Sequence, residues 1–253
     1  MHIFTRSAIL LAATAMLAPA AANARTLAQP QTNSAAPAIK VDPANWLYIE
    51  TENGSNYVHK SSGAICIEKF RDLKLATIRD YAPDGTNSAC QYDKTTEAGL
   101  SRLTIYVYTA PGLTGPAAYQ GAKDAITQFN QNTAVTVTQR KEEGQNCHKG
   151  VIQPLAEGIL SRMKKEGSEG EDANLGLGIA MYDYDIPVVN GRPARQETSL
   201  LSVYQTGKWI VKTRVTLPKS ETSYADACNY GGIASVGQAR VITRQDAPAI
   251  TDS

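Results

Sequence analysis

Once its first 24 residues are set aside, this chain of 253 residues holds two histidines, His59 and His148. Any Ser-His-Asp or Cys-His machinery has to use one of them. Neither has the surroundings such machinery needs. No Gly-x-Ser-x-Gly elbow is present, and both imidazoles fall in polar, turn-like stretches where a solvated ring is the ordinary outcome. Hydrolysis by His59 or His148 with a nearby carboxylate is therefore the alternative reading and not the first. Cys147-His148 resembles a metal corner, but a disulfide would remove the thiolate and no companion ligand lies nearby in sequence. Asp183 and Asp185 share one strand face, a spacing that could hold a hard cation or work as an acid and base pair. The calcium-loop pattern is absent, so we read them as solubilising an edge strand. Gly176 and Gly178 lack the third glycine and helix start of a dinucleotide site. No catalytic residue, metal or cofactor is expected from these patterns.

Tyrosine carries the more specific signal. The chain has 12 Tyr against 3 Phe, and in two stretches the tyrosines sit opposite the aliphatic side of a strand: Tyr106 with Tyr108, and Tyr182 with Tyr184. If these strands share a sheet, they create a second, aromatic face. That face either lies beneath helices or binds sugars, peptides or ring-bearing ligands. Tyr106, Tyr108, Tyr182 and Tyr184 are accordingly the candidate ligand-binding residues.

The element that must position them is a hairpin in Glu197 to Leu217. Thr198 to Tyr204 and Lys208 to Leu217 read as strands around Gln205-Thr206-Gly207. A three-residue loop with Gly207 left-handed sets Val203 against Trp209 and Leu201 against Val211. It leaves Ser202, Tyr204, Lys208, Lys212 and Arg214 on the other face. Before it, a meander runs from Trp46 to Thr109, with Ser101 to Thr109 its clearest strand: Leu103, Ile105 and Val107 face one way, Arg102, Thr104, Tyr106 and Tyr108 the other. Ala117 to Gln131 has helical spacing, Thr133 to Arg140 alternates, Pro154 to Glu166 has a weaker helical side, and Leu175 to Asp185 alternates again. A last helix begins near Glu221, and Gly231-Gly232 is expected to stop it near Tyr230. These elements predict an α+β fold: a single domain over 45–240 in which a twisted, mainly antiparallel sheet packs against two or three helices.

Residues 1–24 read as a signal peptide: Arg6 supplies the n-region, Ala8 to Leu17 is apolar but too short to span a bilayer, and Ala22-Asn23-Ala24 is a cleavage site. The leader ends without a Cys, so no lipid anchor is expected, and no later run suits a membrane span. Residues 25–44 have the composition of a disordered tether and 241–253 that of a flexible tail. Removing the leader takes away Arg6 and no acid, so 24 Lys and Arg face 24 Asp and Glu. That neutrality argues against nucleic acid.

Four cysteines in an exported chain favour two disulfides. Cys66–Cys90 joins neighbours within the meander, and Cys147–Cys228 follows by elimination. The expectation is a secreted or periplasmic, disulfide-bonded protein that acts as a non-catalytic binding or envelope-structural domain, its partner an envelope ligand or protein.

Overall fold

The computed structural model describes residues 39–51, 54–165, 178–189 and 191–246. The leader, the tether up to residue 38, the acidic stretch at 166–177 and the last seven positions lie outside the described residues. Among the described residues eleven strands form two sheets, and every ladder between neighbouring strands is antiparallel. β1 (Trp46–Thr51), β2 (Gly54–His59) and β3 (Ile65–Ile67) make the smaller sheet. The larger one contains β4 (Lys69–Phe70), β5 (Leu73–Asp80), β6 (Asn87–Thr96), β7 (Gly99–Tyr108), β8 (Thr136–Gln139), β9 (Gly178–Ile186), β10 (Arg195–Thr206) and β11 (Trp209–Pro218). Its spatial order is β4-β5-β6-β7-β11-β10-β9-β8. The single sheet expected from sequence is thus two, because the chain leaves the first at Ile67 and enters the second at Lys69.

The described helices gather into three bodies. α1 (Gly115–Asn132) starts at an N-cap, Thr114, with Pro116 in its first turn. α2 (Lys141–Cys147) and α3 (Gln153–Lys165) are joined by a π turn over His148–Ile152. A wide turn brings residue i+5 back nearly above residue i, so Cys147 and Ile152 are both buried. Of this body, sequence periodicity suggested the last part alone. α4 (Ser223–Asp246) is the longest helix described.

The hairpin register differs from the expected one. β10 and β11 are joined by two residues, Gly207 and Lys208, so that Thr206 faces Trp209, Tyr204 faces Val211 and Leu201 faces Arg214. Gly207 sits at φ +53°, and a glycine at the first central position is what a two-residue primed turn requires. Moving the glycine from the end of the loop to its start slips the pairing. Ser202 and Tyr204 consequently lie on the face of Trp209, while Leu201 and Val203 pass to the other.

That first face is the main core. Leu103, Ile105 and Val107 of β7, Leu200 and Tyr204 of β10, and Trp209, Val211 and Val215 of β11 are buried with Ala227, Ala234 and Ile242 of α4. Gly231 and Gly232 do not end α4. A Cβ on Gly231 would stand 2.4 Å from Leu200 Cδ2, and one on Gly232 would stand 3.1 Å from Ile152 Cγ1. These glycines let the helix close on its neighbours, and the helix runs on through Ile242. Ile39 and Val41, ahead of β1, also pack against this core.

Disulfides hold two joints. Cys66–Cys90 links β3 to β6, and so one sheet to the other; Cys147–Cys228 links α2 to α4. Disulfides of this kind belong to proteins of oxidising compartments. No described helix is long and apolar enough to cross a membrane.

Candidate functional site

On the opposite face of the large sheet, cross-strand pairing lines up side chains from four strands. Tyr106 and Tyr108 of β7 stand opposite Lys212 and Ile210 of β11; Arg214 stands opposite Leu201 of β10; Ser199 and Glu197 stand opposite Tyr182 and Tyr184 of β9. Strand alternation puts all of these on one side. The four tyrosines singled out from sequence therefore share a face, and Tyr204 does not join them.

α1 roofs part of that face. Ala118 and Ile126 are buried against Ala180, Tyr182, Tyr184, Leu201, Val203 and Ile210. Tyr182 and Tyr184 are buried, whereas Tyr106 and Tyr108 are half-buried. Beside the helix remains a groove of about 360 Å³, floored by Tyr106, Tyr184, Lys212 and Arg214 and walled by Ile126 and Phe129. Sharing Tyr106 and Arg214, a second cleft of about 740 Å³ continues away from the helix past Arg102, Arg192, Arg195 and Glu197. Two of the four expected tyrosines thus line the groove. Tyr108 is packed with the α1 cluster, and Tyr182 is covered by it.

Electrostatically the groove is cationic. Arg102 is held by Asp93 through a two-pronged contact at 2.8 and 3.0 Å, and Arg195 donates to Glu197 at 2.8 Å. Lys212 and Arg214 have no carboxylate at ion-pair distance among the described residues. Rings take that place. Lys212 Nζ stands 4.2 Å from the Tyr106 ring centre and 5.8 Å from that of Tyr108. Arg214 lies 5.5 Å over Tyr184 and donates to its hydroxyl at 3.2 Å. Burial pushes the Tyr106 and Tyr184 phenols above their ordinary range, so they remain neutral hydrogen-bonding groups. Burial, and then the charge of Arg214, push the Lys212 ammonium below its ordinary value. The sequence had placed Lys212 and Arg214 on an outer face without a role. The signal that could have found them is the register itself, because Lys212 is the direct cross-strand partner of Tyr106.

The histidines lie elsewhere. His59 is fully buried, its Nδ1 paired with Ser62 Oγ at 2.8 Å and its Nε2 3.4 Å from Ser88 Oγ, which donates to Asp80 at 2.6 Å. Asp80 also accepts from Trp46 Nε1 and Asn45 Nδ2. A hydroxyl and a carboxylate do approach this imidazole, but the group is enclosed by the Trp46 and Trp209 rings and lines none of the clefts described. It is no solvated turn residue. The packing of its ring next to Gly85 explains why: a Cβ on that glycine would stand 2.9 Å from His59 Nε2. His148 borders an open cleft of about 480 Å³ with Lys123, Arg140 and Lys149, and no hydroxyl or carboxylate bonds to it among the described residues.

Asp183 is not a solubilising edge residue. β9 is covered by β8, and the Asp183 carboxylate, nearly buried, accepts from Arg140 at 2.7 Å, Lys219 at 2.6 Å, Tyr224 at 2.7 Å and Thr198 at 3.2 Å. Two cations already neutralise it, and Asp185 is occupied separately by Gln196 at 2.6 Å. The described residues contain no group of three or more His, Cys, Asp or Glu that could hold a metal ion.

Comparison with protein-family models, with curated proteins and with solved structures finds no match to this chain.

Proposed function

We propose that the protein is an exported, non-catalytic binding module whose ligand lies in the groove between α1 and the tyrosine face. The observation that carries this reading is the meeting of Tyr106, Tyr184, Lys212 and Arg214 in one groove that α1 leaves open. Aromatic rings beside hydrogen-bonding cations are what a small-molecule site uses for contact area and orientation. The signal-peptide pattern and the two disulfides support a periplasmic or secreted setting, hence an envelope ligand. Catalysis draws less support, because neither histidine combines an accessible position with a bonded hydroxyl and carboxylate.

A thermal-shift screen of envelope components tests the reading, since a ligand that binds the folded state alone raises its apparent stability. The expected hit raises Tm in the parent protein and has no effect after Tyr106→Ala combined with Phe129→Ala. A hit that survives both changes moves the site elsewhere. Turnover of chromogenic esters or glycosides that disappears in His148→Ala would overturn the non-catalytic reading.

A further inference from the structure

Resting on the groove reading above, we infer that the occupant is a small organic anion with a ring-bearing body, its acidic head held by Lys212 and Arg214. Unmatched charge points there. Of the other arginines lining the adjoining cleft, Arg102 has Asp93 and Arg195 has Glu197, while Arg192, farther along, has no ion pair among the described residues. Lys212 and Arg214, two positions apart on one face of β11, have none among the described residues. Side chains at that spacing stand about 7 Å apart, close enough for an anion between them to touch both and for their charges to repel while it is absent. The carboxylate that lines the adjoining cleft, Glu197, is committed to Arg195. An oxyanion on these two cations forms charge-assisted hydrogen bonds where ring faces now give weaker contacts.

Size and lining describe the rest of the ligand. A space of about 360 Å³ bounded by Tyr106, Tyr184, Ile126 and Phe129 suits one ring and its head group. Phe129, 45% exposed, is the apolar lip over it. Carboxylates, phosphate monoesters and sulfate monoesters share the chemistry that this pair of cations recognises.

Calorimetric titration of the full chain tests the inference with four probes: phenyl phosphate, benzoate, the neutral phenyl β-glucoside, and inorganic phosphate. We expect the two ring anions to bind at least about tenfold more tightly than the glucoside and than inorganic phosphate, with the advantage shrinking as NaCl is added. Lys212→Met and Arg214→Gln should each remove most of it. Phenyl phosphate against benzoate separates an ester head from a carboxylate. Equal affinity for charged and neutral rings, or an advantage kept in both variants, overturns the anion assignment and leaves the groove standing. If no ring compound binds, groove and anion fall together. Circular dichroism checks each variant's fold, and Arg214→Gln, at an exposed side chain, carries the comparison if Lys212→Met does not fold.

Discussion

The two faces of the eight-stranded sheet are built to different ends. Against α4 the sheet is sealed: Trp209, Leu200, Ile210's neighbour Val211, and Val215 are buried to 1% exposure or less. Two pairs of hydroxyls meet there, Ser202 with Ser235 at 2.5 Å and Thr198 with Ser223 at 2.9 Å. Gly231 removes the side chain that would hold the helix off. Against α1 the seal is partial. That helix buries Ala118 and Ile126 but leaves Phe129 exposed, and beyond it Lys212 and Arg214 look onto rings and open space. Stability is concentrated on one side, which frees the other to keep unmatched charge.

The largest expected effect falls on the sealed side. Trp209→Ala should cost about 3–5 kcal/mol, because it empties a large volume that helix and sheet cannot close, and its Nε1 loses no protein partner. Urea unfolding measures this, and a loss near 1 kcal/mol would mean the face is not rigidly packed. Gly231→Ala should come next, at about 1–3 kcal/mol, since the new methyl meets Leu200 in a filled core. A neutral or stabilising Gly231→Ala, the usual result in an exposed helix interior, would show that α4 sits farther from the sheet.

A third expectation concerns pH at the same core. Burial lowers the pKa of His59 below 6.5, an effect opposed by the weaker pull of Asp80. The groups facing it are Ser62, Ser88 with Asp80 behind, and the rings of Trp46 and Trp209. A lowered folded pKa favours the neutral ring, so its contribution to stability is whole above pH 6.5. It declines as acid protonates the unfolded chain first, down to the folded value. Urea midpoints on either side of pH 6.5 should fall toward acid in the parent protein and less steeply in His59→Gln. Equal slopes would assign the effect to other groups.

How much of this was legible in the sequence varies with what each residue answers to. β7 was legible because Leu103, Ile105 and Val107 alternate with polar neighbours, and α1 because its apolar positions keep helical spacing. The disulfide pairs followed from chain proximity and exclusion. Glycines were the failure. Gly207 and Gly231 are the same residue type with opposite meanings, one supplying a positive φ and the other a missing side chain, and sequence does not distinguish them. One misplaced glycine shifted the hairpin and put Tyr204 on the wrong face; another cut α4 short. The cationic half of the site was hidden for a related reason. Lys212 and Arg214 read as ordinary solvated residues until register set them beside Tyr106 and Tyr184 and left them without acids.

The smallest expected effect is the sharpest test of the comparison, because it lies within one helix. Ile126 and Phe129 are one turn apart on α1, and both border the groove. Ile126 is 9% exposed and belongs to the packed cluster; Phe129 is 45% exposed, with its ring 6.5 Å from that of Tyr184. Truncating Ile126 to Ala removes buried methylenes and leaves a cavity, which should cost about 2–4 kcal/mol. Truncating Phe129 gives up partial burial and one ring contact, so the loss should be about 1 kcal/mol or less. Since the two sites share a helix, its propensity and its cap, their difference reports the local seal and nothing more general. If Phe129→Ala costs as much as Ile126→Ala in urea unfolding, the groove is closed in solution, and the α1 face is a second core of the same kind as the first.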